Sequence, residues 1–310
     1  MRRWIDGHAN VARVVLVAVM GLSLASCQWV NGLRADQSIE LAHRLFQTGH
    51  FLQAAEQYED VLAKDPARVE AHHFLAISYE RQYERAFALD DDKERLLRLA
   101  IEHYVLAVEL GTDPERRTMA RRNLLAAYGA DKANDPAAAE TTLREMIAAE
   151  PASSDYYFTL ATLYEERGRS EDAERVLSSL FSAGSDDPLV WVALARAYDR
   201  LGKLDLAIGA LRRWVALEPE NPEALYTIAT FYWKEAMEDS RLTAEEEHAY
   251  LVPALTEVER ALTVDDDYVD ALRYKDTLLR MRAQLTVAAG AAAQMVAEAD
   301  LARDRAAALQ

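Results

Sequence analysis

Bulky and small apolar residues recur along the middle of this chain in one fixed order, with polar residues between them. From Pro188 to Asn221 the apolar positions follow one another at three- and four-residue steps: Trp191, Leu194, Ala195, Tyr198, Ala207, Leu211 and Trp214. That spacing predicts one face of two successive helices, because an α-helix turns once in about 3.6 residues. Gly202 lies between the two runs and accepts a left-handed backbone at low cost, so we expect it to end the first helix.

The same order of residues returns when the sequence is shifted by 34 positions, the separation of Leu160 from Leu194. Three sets of positions align in this way: Leu160, Leu194 and Ile228; Ala161, Ala195 and Ala229; Tyr164, Tyr198 and Tyr232. A period of this length is typical of arrays of helical hairpins, in which each unit buries its apolar face only against its neighbours. We therefore predict an all-α solenoid.

Residues 154–233 closely resemble tetratricopeptide (TPR) repeats, through Trp191, Leu194, Tyr198, Ala207 and Pro219 in the best-matched unit. Weaker matches extend the resemblance in both directions and imply about six repeats over residues 35–267. Insertions near 83–99 and 235–252 either lengthen helices or add a loop, and are either partner-binding or tolerated surface segments. Residues 268–310 are predicted to form C-terminal capping helices with a polar outer face.

The N-terminal segment has the pattern of an export signal. Arginines precede the apolar run Val14–Leu24, which is shorter than the ~20 residues that a membrane-spanning helix needs. The segment ends in Leu24-Ala25-Ser26-Cys27, and Cys27 is the only cysteine in the chain. This ending resembles the lipobox of bacterial lipoproteins; an ordinary secretory signal with an incidental cysteine is the alternative.

The lipobox resemblance implies that residues 1–26 are cleaved as a signal peptide. The thiol of Cys27 and the new amine would then carry fatty acyl chains such as palmitate, and residues 27–34 would form a lipidated tether. Two or more acyl chains anchor a protein stably where one does not. The residue after the cysteine is Gln28. In Gram-negative lipoproteins an aspartate at this position resembles the signal for retention in the inner membrane, so in a Gram-negative cell we expect an outer-membrane protein that faces the periplasm.

Charge and motif content exclude several classes of function. The net charge of −17 at pH 7 argues against nucleic-acid binding, because phosphates are neutralised by clustered lysine and arginine. The sequence contains no His-Glu-x-x-His, glycine-rich phosphate loop, nucleophile elbow or cysteine pair. His72 and His73 are adjacent on a predicted helix, so they point in different directions and do not chelate one metal easily. We therefore expect this chain not to be an enzyme and to bind no metal and no cofactor apart from the lipid on Cys27.

The TPR resemblance implies a ligand groove on the concave face, which the first helix of each repeat lines. The positions that face this groove carry aromatic and cationic side chains: Phe158, Arg196, Arg200, Tyr226 and Trp233. Such side chains dominate binding hot spots. Alternatively, Tyr226 and Trp233 pack under the neighbouring insertion. The fifth helix positions carry no lysine, so a co-chaperone that clamps a C-terminal carboxylate is not expected.

Together these features predict a non-catalytic, membrane-anchored TPR scaffold that recruits envelope proteins for assembly, secretion or export. Its docking mode would be a helix or an extended peptide in the groove. The alternative function is periplasmic binding of a glycan or small ligand through the aromatic groove. The sequence predicts no particular oligomeric state.

Overall fold

A computed structural model describes residues 37–86, 91–238 and 242–309 of this chain. Within these ranges all regular secondary structure is helical and no strand occurs, which confirms the predicted all-α fold. None of the helices described there is both long enough and apolar enough to cross a membrane. Cys27, Gln28 and the predicted signal peptide lie outside the described residues.

The chain divides into two compact units between Met146 and Ile147. The first unit contains α1 over 37–47, followed by α2 Phe51–Lys64, α3 Val69–Arg85, α4 Asp91–Leu110, α5 Pro114–Ala127 and most of α6 Pro136–Ala149. The second unit contains α7 Ser154–Glu165, α8 Ser170–Ala183, α9 Pro188–Arg200, α10 Leu204–Leu217, α11 Pro222–Glu238, α12 Ala244–Val264, α13 Val269–Leu285 and α14 Ala289–Ala308.

Polar side chains cap several helices at their N-termini. Asp113 and Asp187 accept hydrogen bonds from free amides of α5 and α9, and each is followed by a proline at the first helical position. Thr243 and Glu246 form a reciprocal capping box at the start of α12. These bonds satisfy amides that have no partner within the helix, so the start of each helix is encoded locally.

The turns after α7 and α9 have the same geometry. Gly168 and Gly202 adopt φ values of 68° and 67°, in the left-handed region that glycine enters without a steric penalty. In both turns the amide after the glycine donates a hydrogen bond to the carbonyl oxygen of the tyrosine, Tyr164 or Tyr198, at 2.9 Å. The prediction that Gly202 ends a helix is therefore confirmed.

The predicted small and large positions form the core of the second unit. Successive helices from α7 to α14 pack against one another, and α2 to α5 do so in the first unit. The repeating large residues are almost completely buried: Leu160, Leu177, Leu194, Leu211 and Ile228. Ala195 and Ala207 are also fully buried, as expected for small residues at contacts between helices. Each fully buried leucine contributes about 1.5–3 kcal/mol of burial free energy.

Long helices flank both predicted insertions. Helices α3 and α4 have 17 and 20 residues, and α11 and α12 have 17 and 21, whereas α2 has 14. Residues 83–85 and 91–99 of the first insertion are helical. The described part of each insertion thus extends the helices of its own hairpin.

The C-terminal helices are joined by small residues and by ion pairs. Buried alanines lie on one face of α14: Ala299, Ala302 and Ala306. Lys275 on α13 pairs with Glu298 at 2.5 Å, and Arg280 pairs with Asp300 at 2.6 Å. Ion pairs with partly exposed partners contribute little individually.

Candidate functional site

The predicted groove residues of the second unit lie on the first helices of three successive hairpins. Phe158 is half-buried on α7, Arg196 and Arg200 are exposed on α9, and Tyr226 and Trp233 are half-buried on α11. Helix α7 contacts α9, and α11 contacts α13. The structure therefore places these residues on neighbouring helices, but it engages several of them within the chain.

Ion pairs join the first helices of neighbouring hairpins. Arg200 donates two hydrogen bonds of 3.1 Å to Glu165, and this pair joins α9 to α7. Lys234 donates a hydrogen bond of 2.7 Å to Asp199, which joins α11 to α9. Arg196 has no hydrogen-bond or ion-pair partner among the described residues. Of the two predicted arginines, only Arg196 is free to meet a ligand without giving up an internal contact.

Tyr226 and Trp233 pack against α13. The Trp233 indole donates a hydrogen bond to the sulfur of Met281 at 3.3 Å, and its ring centroid lies 5.7 Å from that of Tyr274. Tyr226 meets Tyr274 edge-on at 5.3 Å and Tyr268 at 5.7 Å. Burial and neighbouring acidic groups raise the pKa of Tyr268 to about 12. The packing partner is α13, which sequence reasoning did not identify because the second insertion interrupts the register of the repeat.

A cavity of about 270 Å³ opens between α3 and α5 in the first unit. Its walls are mainly apolar and include Phe74, Ala120 and the side chain of Met119, which is 57% exposed. Glu70, His73 and Arg116 supply polar groups at its edge. Sequence reasoning did not select this site, although His73 occupies the same fifth helix position as Phe158 and Tyr226.

His73, which lines the cavity, has one polar atom without a hydrogen-bond partner among the described residues. Its Nδ1 atom is buried and has no hydrogen-bond partner in the described structure. Burial, together with the charge of Arg116, lowers the pKa of His73, so its imidazole is neutral at neutral pH. An apolar cavity with a few convergent polar groups is typical of a binding site.

His72 points away from this cavity and pairs with His103 on α4. The two Nδ1 atoms lie 2.9 Å apart, and Nε2 of His72 lies 3.0 Å from the carbonyl oxygen of Pro66. Nε2 of His72 therefore donates to this carbonyl oxygen, and the two Nδ1 atoms share a hydrogen bond whose donor depends on the tautomers of the two rings. The prediction that His72 and His73 point in different directions is confirmed. In the ranges that the structure describes, no group of three potential metal ligands occurs.

We expect the first unit to lose stability as the pH falls from about 7.5 to about 5.5. Burial, with a further contribution from His72, lowers the pKa of His103, and burial also lowers that of His73. In the unfolded chain these histidines bind protons near pH 6.5, whereas in the folded chain they do so only at lower pH. The free energy of unfolding is therefore highest above about pH 6.5 and falls as the pH drops below it. Urea unfolding measured by circular dichroism across this range tests the expectation.

The matched variant is His103→Asn, whose amide can still form a hydrogen bond with His72 but cannot titrate. This variant should show a smaller loss of stability with falling pH than the unsubstituted chain. Identical pH profiles for the two proteins would contradict a role for His103.

Comparison with known proteins identifies the repeats. Models of the tetratricopeptide repeat match residues 39–92, 132–197 and 188–231. No curated protein sequence matches the chain. Similar solved structures include the C-terminal part of a TPR repeat-containing protein from Cytophaga hutchinsonii, which is 14% identical with a TM-score of 0.47 over 88% of this chain and 95% of that chain.

Two further structures are similar at the same level. A tetratricopeptide repeat protein from Parabacteroides merdae is 12% identical, with a TM-score of 0.41 over 86% of this chain and 98% of that chain. The TPR2AB domain of yeast Sti1 in complex with pHSP90 is 15% identical, with a TM-score of 0.36 over 89% of this chain and 99% of that chain. From the family models, both units of this chain contain tetratricopeptide repeats.

Proposed function

We propose that this chain is a non-catalytic adaptor that binds a protein partner at the bacterial outer membrane, to which a lipid on Cys27 anchors it. TPR helices typically mediate protein–protein interaction, and the chain contains such repeats in both units. The anchor is supported by the lipobox-like ending at Cys27, and the outer membrane by Gln28. The lipid raises the local concentration of the adaptor for envelope partners.

The cavity between α3 and α5 is the observation that carries the docking proposal. In the second unit, Arg200, Tyr226 and Trp233 already have partners within the chain. In the first unit, Met119 is exposed beside a cavity whose walls are mainly apolar. A volume of about 270 Å³ is below the range of small-molecule pockets and suits one or two apolar side chains of a peptide.

This arrangement favours a protein partner over the glycan alternative. Sugar binding by stacking requires free aromatic ring faces, whereas Tyr226 and Trp233 use part of their surface against α13. Glycan binding through these rings stays the second hypothesis. Trp233→Ala would also remove the contact with Met281, so that variant needs a fold control.

We expect Met119→Asp to reduce partner recovery about tenfold or more, because the carboxylate would have to be desolvated in an apolar cavity. The experiment is crosslinking in intact cells, followed by purification of the tagged chain from solubilised envelope and quantitative mass spectrometry. Met119 is exposed, so the substitution should leave the fold intact, which circular dichroism checks.

Leu189→Asp is the matched control for this experiment. Leu189 is 74% exposed on α9 and lies outside the cavity. Like Met119→Asp, its substitution replaces an exposed apolar side chain with a carboxylate. Partner recovery should be unchanged. If the two variants lose the partner to the same degree, or if neither does, the cavity is not the docking site.

A further inference from the structure

A second cavity in the first unit lies between the starts of α2 and α4, with the last turns of α3 at its base. Its volume is about 710 Å³. It shares no lining residue with the cavity between α3 and α5. The proposed docking site between α3 and α5 and this cleft are therefore separate surfaces, and they can be tested independently.

The first insertion builds this cleft. The helical residues 83–85 and 91–99 extend α3 and α4 beyond the length of α2, and Arg85, Asp92 and Leu96 from these extensions line the cleft. An unextended hairpin would lack one wall. The cleft is thus a property of this chain's insertion and not of the repeat pattern.

Apolar side chains line part of both walls. Leu52 at the start of α2 is 58% exposed, and Leu96 and Leu99 on α4 are half-buried beside the cleft. Leu96 and Leu99 are three residues apart, so they lie on the same face of α4. Apolar surface that lines a cleft and is rimmed by polar residues marks a binding groove more often than scattered exposure does.

The cationic side chains of the cleft are already engaged. Arg85 donates a hydrogen bond of 3.2 Å to the carbonyl oxygen of Gly49, and its guanidinium lies 4.7 Å from the ring centroid of Phe51. Arg95 on α4 lies 3.7 Å from the carboxylate of Asp92. Arg95 therefore has an acidic partner, whereas the groups that Arg85 contacts are neutral.

The carboxylates on the α2 wall are less compensated. Glu59 accepts a hydrogen bond from the Tyr79 hydroxyl, and burial together with this bond raises the pKa of Tyr79, so the phenol stays protonated. Glu56 is exposed and has no hydrogen-bond or ion-pair partner within the described residues. The cleft lining contains the three carboxylates of Glu56, Glu59 and Asp92 against the two guanidinium groups of Arg85 and Arg95, so acidic groups are in excess.

We propose that this cleft binds an amphipathic helix of a partner protein that carries lysine or arginine beside its apolar stripe. The apolar stripe contacts Leu52, Leu96 and Leu99, and the cationic side chain pairs with Glu56. A cleft of about 710 Å³ between two helices accepts several side chains, as in helix-in-groove recognition. Charge complementarity at Glu56 then selects a basic helix over an acidic one.

The test uses two synthetic peptides of about 15 residues with the same leucine stripe, one with flanking lysines and one with flanking glutamates. Fluorescence anisotropy measures their binding to the full lipidated chain in phosphatidylcholine nanodiscs, with empty discs as the blank. The lysine peptide should bind, and the glutamate peptide should bind about tenfold more weakly or not at all. Glu56→Lys should weaken binding of the lysine peptide about tenfold, and Leu52→Ser should weaken it as well.

Glu109→Lys is the matched control. Glu109 is exposed near the other end of α4, and its substitution changes the net charge of the chain by the same amount as Glu56→Lys. Binding of the lysine peptide should be unchanged in this variant. Equal losses in Glu56→Lys and Glu109→Lys would assign the attraction to the overall charge and overturn the proposal, as would no binding to the unsubstituted chain. Loss of the peptide in Met119→Asp alone would place it in the cavity between α3 and α5 and would also overturn the proposal.

Discussion

Glu80→Ala is expected to lower the free energy of unfolding of the first unit by about 3–5 kcal/mol. Glu80 lies on α3, where one carboxylate oxygen accepts a hydrogen bond from Lys132 at 2.6 Å and the other accepts one from the Tyr104 hydroxyl at 2.6 Å. Tyr104 is fully buried, and only 15% of the Lys132 side chain is exposed. Removing the carboxylate leaves an ammonium and a phenol without their main acceptor, which costs the desolvation of both groups.

The protonation states support this expectation. Burial opposes the charge of Lys132, but its hydrogen bond to Glu80 and the nearby acidic groups outweigh burial and raise its pKa. Burial and the hydrogen bond to Glu80 raise the pKa of Tyr104, so its hydroxyl stays a donor. The network therefore contains a charged pair and a neutral donor at neutral pH.

Glu84→Ala is the control on the same helix. Glu84 lies 3.7 Å from Lys132 and its side chain is 38% exposed, so its loss should cost about 0–1 kcal/mol. Urea unfolding followed by circular dichroism measures both variants, and hydrogen exchange of α3 and α4 assigns the effect to the first unit. A cost for Glu80→Ala as small as the about 0–1 kcal/mol expected for Glu84→Ala would show that the Glu80 network does not stabilise the fold. A double-mutant cycle with Lys132→Met isolates the pair.

Cys27→Ala is expected to abolish acylation and stable membrane attachment. The proposed modification needs a thiol nucleophile, which alanine lacks, so no acyl chain is added. The variant therefore loses the membrane-binding free energy of about 0.8 kcal/mol that each buried methylene of an acyl chain contributes. Metabolic labelling with an alkyne palmitate analogue, followed by gel detection, reports acylation. Density-gradient separation of the envelope reports the membrane in which the chain resides.

Ser26→Ala is the matched control because it keeps the thiol and a small neighbouring side chain. It should be labelled and should fractionate with the outer membrane, as the unsubstituted chain should. Persistent labelling or unchanged fractionation of Cys27→Ala would contradict the lipid-anchor proposal. An ordinary secretory signal would give an unlabelled protein in every case.

The repeat architecture was predictable from short-range patterns. The turn at Gly168 and the turn at Gly202 share their φ values and their hydrogen bonds to Tyr164 and Tyr198. These features depend on residues within one helix end, so a single sequence contains all the information for them. The C-terminal helices α13 and α14 also follow the predicted helical stretches.

The candidate sites were only partly predictable. The helix positions of Phe158, Arg196, Arg200, Tyr226 and Trp233 follow from the repeat register, and the structure places them on successive first helices. Their partners do not follow from it: Trp233 contacts Met281, 48 residues away and beyond the second insertion. The cavity beside Met119 and the cleft beside Leu52 arise from packing between helices, which no local pattern encodes.

The sequence by itself determined the helical repeats and their turns, because the spacing of apolar residues, the capping side chains and the glycines act within a few helical turns. Only the tertiary structure decided which side chains are available to a partner. Arg200 is held by Glu165, 35 residues away, whereas Arg196 beside it is unpaired among the described residues. Availability depends on contacts between hairpins, and those contacts are set by how the hairpins pack and by the insertions that interrupt their register.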